Sequence, residues 1–160
     1  MAGAPLPRAG RDPRGARRLR VAGACAAALA LAGCGGGRLS HGDYVRRADA
    51  VCRAYDAKVQ LLTRPKGYDG IVSYVDRTLP LYVAALDKLK ALSPAAGDDA
   101  AVKAWLRADA RVVTEVRRLR DAAMKKDPAA TNDASTAVQA ASLASRRAAS
   151  ALGLQVCSQP

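Results

Sequence analysis

The chain has 160 residues, a formal charge of +12, an apolar fraction of 50% built largely on alanine, 4% aromatic residues and no phenylalanine. Such a composition suits helices packed through small side chains and argues against a sheet, which favours β-branched and aromatic residues. The length supports one hydrophobic core and no second domain.

Residues 5–20 are rich in Arg, Pro and Gly, and from Val21 to Gly33 the chain is an unbroken run of Ala, Val, Leu and Gly with Cys25. A basic segment, an apolar segment and small residues before a cut are the three parts of a signal peptide. The apolar run of 13 residues would be about 20 Å long as a helix against a hydrocarbon core of about 30 Å, too short to span it. It ends in Leu31-Ala32-Gly33-Cys34, which resembles the lipobox of bacterial lipoproteins. The resemblance implies cleavage before Cys34, a diacylglyceryl group on its thiol, and a mature protein anchored by lipid to the outer face of the cytoplasmic membrane. The competing explanation is a chance cysteine in an ordinary secretory leader. Arg17-Arg18 raises the twin-arginine export route, but Arg20 stands where that signal wants an apolar residue. Residues 1–33 hold six Arg and one Asp, a net +5, which leaves +7 on the mature chain. Outside the cytoplasm the anions within reach are phospholipid headgroups and cell-wall polymers, and nucleic acid is not an expected partner.

Residues 34–39 read as a lipidated cysteine and a glycine-rich tether, Gly35 to Leu39, with an rms reach of about 12 Å. The domain occupies residues 40–160. Ser40 with Asp43 three residues later marks a helix start, and Tyr44, Ala48, Val51, Cys52, Tyr55, Val59 and Leu62 fall on one face, giving a first helix over 41–62. Arg64-Pro65-Lys66-Gly67 is a turn. A second helix over 69–92 carries Pro80 in its middle, where a kink or a break is expected. Asp98 or Asp99 caps a third helix reaching Lys126, ended by Asp127-Pro128. A fourth, from Asn132 or Asp133 to Leu152, has an inner face of Ala137, Val138, Ala141, Ala144, Ala148 and Leu152, and Gly153 stops it with Leu154 packing back. The fold expected is all-α: an antiparallel four-helix bundle behind a cleaved lipoprotein signal peptide.

Cys25 leaves with the leader and Cys34 is taken by lipid, so Cys52 and Cys157 remain. An even pair in an exported domain reads as a disulfide, and in an up-down-up-down bundle the tail after Gly153 returns along the first helix to Cys52. Two free thiols, one of them reactive, are the alternative. The opening from Tyr44 to Cys52, the mid-helix proline and the ending Leu152 to Cys157 resemble the small helical lipoproteins common in high-GC Gram-positive bacteria, a likeness that implies this fold and no particular activity.

Motifs for chemistry are scarce. His41 is the sole histidine, and a structural zinc site wants four Cys or His ligands, so no metal or cofactor is expected. No nucleophile has a base beside it, and no Gly-x-Ser-x-Gly segment occurs. Asp49, Asp56, Asp109, Glu115 and Asp121 are placed on outward helix faces. Lys103, Arg107, Arg111, Arg118 and Lys125 share one side of the third helix; anionic headgroups or wall polymers would suit that row, although Glu115 and Asp121 sit four residues from Arg111 and Lys125 and make it an ordinary mixed-charge surface. The reading is a non-catalytic binding or envelope-structural module. Its rival is a carrier or sensor of a small apolar ligand, with Tyr44, Tyr55, Tyr74, Tyr82 and Trp105 lining a pocket thinned by the alanines of the fourth helix. A filled core would favour the first and an internal cavity the second.

Overall fold

The computed structural model describes residues 37–159; the expected leader at 1–33, the lipidation site Cys34, and Gly35 and Gly36 lie outside them. Four helices carry the described chain: α1 (His41–Val59), α2 (Gly67–Lys90), α3 (Asp99–Met124) and α4 (Pro128–Ala151), with a 3₁₀ turn at Ala96–Asp98 leading into α3. No strand occurs among the described residues.

Each helix terminus has a chemical cause. Ser40 caps α1 by accepting the Asp43 N–H at 3.1 Å, as its position suggested. The start of α4 corrects the sequence reading. Asp127-Pro128 does not merely end α3; Asp127 caps α4, accepting the Ala130 N–H at 3.0 Å, and Pro128 takes the first helical position, where its missing N–H costs nothing. What ends α3 is Lys126, which adopts the left-handed conformation at φ 54°. Asp98, expected as a cap for α3, makes no side-chain cap bond; its carboxylate instead meets His41 Nδ1 at 2.9 Å. Gly153, at φ 76°, closes α4 with two reversed bonds, Leu154 N–H to Ala149 C=O at 3.1 Å and Gly153 N–H to Ser150 C=O at 2.9 Å.

Helix α2 runs unbroken through Pro80, so the break considered from sequence does not occur. Pro80 and Asp76 are both exposed, so the carbonyl that Pro80 deprives of its helical partner belongs to the solvent side of α2, where such a loss is tolerated.

The helices alternate in direction. Lys126 pairs with Asp69, Arg120 with Asp76, and Tyr82 with Asp109, a register in which α2 descends as α3 rises; Ser145 donates to the same Asp109 and fixes α4 antiparallel to α3. α3 packs against α2 and most extensively against α4, α1 leans on α2, and the side between α1 and α4 lacks comparable helix-on-helix packing. The intimate α3–α4 contact follows from small residues: Thr131, Ala134, Ala141, Ser145 and Ala149 are the buried positions of α4. This face is rotated from the one read in the sequence, since Ala144 is exposed.

The dry core lies at one end, here termed the base, where α1 and α3 begin and α2 and α4 finish. Tyr44, Ala48, Leu89, Val102, Trp105, Ala149, Leu152 and Leu154 meet there, with Leu39 and Leu92 against them. Arg38 and Leu39, read as tether, are docked: Arg38 pairs with Asp99 and Leu39 N–H donates to Ser93 C=O at 2.8 Å.

The tail after Gly153 turns along α1 and is bonded to it at Cys52–Cys157. Asp49, one turn before Cys52, accepts the N–H groups of Gln155, Val156 and Cys157 at 3.0, 2.9 and 3.2 Å. Its burial, 7% exposed, overturns the outward placement expected for it; the bend and turn at residues 155–157 needed an acceptor for three consecutive donors.

Candidate functional site

Away from the base the interior is not filled. A cavity of about 840 Å³ runs between the helices, within the size range of small-molecule sites. On α2 its lining extends from Tyr68 to Leu89 and on α3 from Trp105 to Leu119, about 30 and 20 Å of helix at 1.5 Å rise per residue. It is therefore an elongated groove. α1, the shortest of the four helices, contributes only Cys52, Tyr55 and Asp56, and the tail adds Val156, Cys157 and Gln159.

Four of the five aromatic residues considered from sequence, Tyr55, Tyr74, Tyr82 and Trp105, line the groove. Tyr44 does not; it is 1% exposed in the dry core. Tyr55 and Tyr82 meet edge to face, with ring centroids 5.3 Å apart, an arrangement that suits their quadrupoles. Valines and leucines of α2 and α3 form the apolar wall, and α4 presents hydroxyls, Ser135, Ser142 and Ser145.

At the inner part of the groove stands Asp109, 5% exposed. Tyr82 Oη donates to its Oδ1 at 2.7 Å and Ser145 Oγ donates to the same oxygen; Oδ2 receives no hydrogen bond from the described residues. Burial pushes the Asp109 carboxyl up from its ordinary value, against the hydrogen bonds from Ser145 and Tyr82, which lower it. Burial, then the neighbouring Asp109, raises Tyr82 strongly, and burial lifts the Tyr55 hydroxyl to about 12. The phenols are thus neutral donors at physiological pH. Asp56, a second carboxylate lining the groove, is also raised by burial. Where the groove meets the core, Trp105 Nε1 and Tyr44 Oη are buried without a hydrogen-bond partner among the described residues.

The sequence reading put Asp109 on an outward face, and the structure corrects this. The signal was present: Asp109 lies four residues after Trp105 and three before Val112, the middle of the apolar stripe. Glu115 is likewise mostly covered, at 14% exposure, between Arg111 and Arg118 at 3.9 and 3.8 Å. Of the five carboxylates only Asp121 is freely exposed. The basic row Lys103, Arg107, Arg111, Arg118 and Lys125 is exposed throughout; the Arg111–Glu115 pair forms, whereas Asp121 turns to Arg120 instead of Lys125. His41 is exposed beside Asp98. No group of three or more His, Cys, Asp or Glu side chains among the described residues is arranged to hold a metal ion, and no described helix is long and apolar enough to cross a membrane.

No protein-family model, curated protein or solved structure matches this chain. The functional reading therefore rests on the groove and on the sequence.

Proposed function

We propose that this is an exported lipoprotein, anchored through lipid on Cys34 to the outer face of the cytoplasmic membrane, whose helical domain binds a small and largely apolar molecule without transforming it. The observation that carries the binding reading is the aromatic-lined groove of about 840 Å³: a bundle serving only as a scaffold gains from filling such a space, because each unfilled methylene forfeits dispersion and burial energy. The lipobox carries the anchoring reading, with two or more acyl chains giving stable attachment where one is marginal. The docked Arg38 and Leu39 shorten the link and bring the base toward the bilayer, with the exposed cations of α3 available to anionic headgroups or wall polymers.

Mass spectrometry on protein purified from membranes tests both parts. The denatured mass should begin at a lipidated Cys34, and Cys34→Ala should abolish membrane retention; a chain with residues 1–33 attached would sink the anchor. Under native conditions an additional non-covalent mass is expected, and it should vanish in a Ser135→Leu/Ser142→Leu variant that fills the groove from α4 while leaving the fold intact. An empty wild-type protein that also takes up no apolar probe would sink the binding reading and return the domain to a structural role.

A further inference from the structure

We infer that the groove selects an elongated apolar molecule bearing one cationic nitrogen, an alkylammonium or related amphiphilic amine, with the nitrogen seated between Asp109 and the rings of Tyr82 and Tyr55. This rests on the reading of the groove as a binding site and adds the chemistry of its occupant. A neutral hydrocarbon would need no carboxylate in the wall, yet the groove contains two, Asp109 and Asp56. Asp109 is 5% exposed, both of its hydrogen bonds fall on Oδ1, and none of the salt bridges formed by the described residues involves it. A buried carboxylate without a counter-charge is costly, and one partner cation relieves it.

The surroundings suit a cation and disfavour an anion. Tyr82 holds the carboxylate from α2 while its ring packs against Tyr55 of α1 at 5.3 Å, and Trp105 lies one turn before Asp109 on α3. Aromatic faces within about 6 Å attract ammonium groups, most strongly where water is excluded. From this inner site the groove continues past Tyr74, Ile71 and Leu119, room for the apolar chain. Arg146 is the one basic residue in the lining; it forms no salt bridge with either carboxylate and would oppose the cation from α4. Burial holding the Asp109 carboxyl above its ordinary value agrees with a site awaiting a positive charge.

Trp105, the single tryptophan, reports binding by its own fluorescence. Titrating the delipidated full domain, at concentrations below micelle formation, with decyltrimethylammonium, decanol and decanoate should give at least ten-fold tighter binding of the ammonium than of either other probe. Asp109→Asn, in which the amide oxygen can still accept from Tyr82 and Ser145, should remove that preference and bring the ammonium affinity down at least ten-fold relative to decanol. Arg146→Ala, a change at a half-buried position that keeps the helix, should raise the preference further. Equal binding of the three probes, or preference for decanoate, would overturn the cationic occupant while leaving the groove a binding site. Loss of all three probes in a folded wild-type protein would instead overturn the binding reading itself. A native mass carried from the membrane that matches an amine-bearing lipid would name a membrane amphiphile as source, and uptake of decyltrimethylammonium by an otherwise empty protein would name a free amine; a carried mass with no cationic nitrogen would count against the proposal.

Discussion

The two halves of the bundle are built from the same helices and treat their interiors in opposite ways. At the base, Tyr44, Trp105, Leu152 and Leu154 exclude solvent, the reversed turn at Gly153 folds the tail back, and Asp49 and the Cys52–Cys157 bond fix it to α1. Farther along, α1 has ended, α4 offers serines and threonine in place of large apolar groups, and the space between α2, α3 and α4 stays open. A short alanine-rich bundle cannot bury enough large side chains along its whole length, so cross-links and caps concentrate where the core is dry. The difference shows how one end can supply stability while the other keeps a cavity.

The sharpest way to break this contrast is at the cross-link. Replacing Cys52 and Cys157 together by serine should cost about 3 to 5 kcal/mol, because the bond closes a loop of 105 residues and chain-entropy reasoning gives about 5 kcal/mol as an upper figure for such a loop; urea unfolding of the double variant measures it. A paired truncation compares the halves directly. Leu154→Ala, at a residue that is 0% exposed, should cost about 2 to 5 kcal/mol, whereas Leu79→Ala, on the half-exposed groove wall, should cost less than about 1.5 kcal/mol since it empties no packed site. Equal losses would mean that the groove is not a void in solution.

Asp49→Ala with the disulfide intact should cost about 2 to 3 kcal/mol by stranding three tail N–H groups. Hydrogen exchange would localise the effect, with residues 155–157 losing protection and α3 and α4 unchanged. The smallest effect concerns Asp109. Its carboxyl is raised by burial in the folded state, so ionisation is harder in the fold than in the unfolded chain. The resulting penalty is absent below the ordinary carboxylate value and complete above the raised one, and wild-type stability should decline as pH rises through that window. Asp109→Asn should make the decline shallower without abolishing it, because Asp56 is raised by burial as well; an unchanged slope of urea midpoint against pH would show that Asp109 is not the group responsible.

Local chemistry determined much of this protein from sequence alone. The Ser40 cap, the stop at Gly153 with Leu154 folding back, the number of helices and the all-α class follow from side-chain rules acting within a few residues, whereas the turn expected at residues 64–67 falls earlier, at residues 60–62, and Gly67 already opens α2. The joining of Cys52 and Cys157 was legible as well, because alternation of helix direction returns the tail to α1. The apolar stripes of α1, α2 and α3 face inward as their spacing predicts, and tertiary structure decided how wide each buried arc is. α3 is covered by both α2 and α4, so its buried arc takes in Asp109, which lies within the apolar stripe although its charge argues for solvent, and most of Glu115. Asp49 is buried by a segment more than a hundred residues away, and no local pattern can announce an acceptor for a remote backbone. The groove is likewise a property of lengths and separations: α1 ends early and α4 presents small side chains, and whether the resulting space closes depends on how the four helices settle against one another.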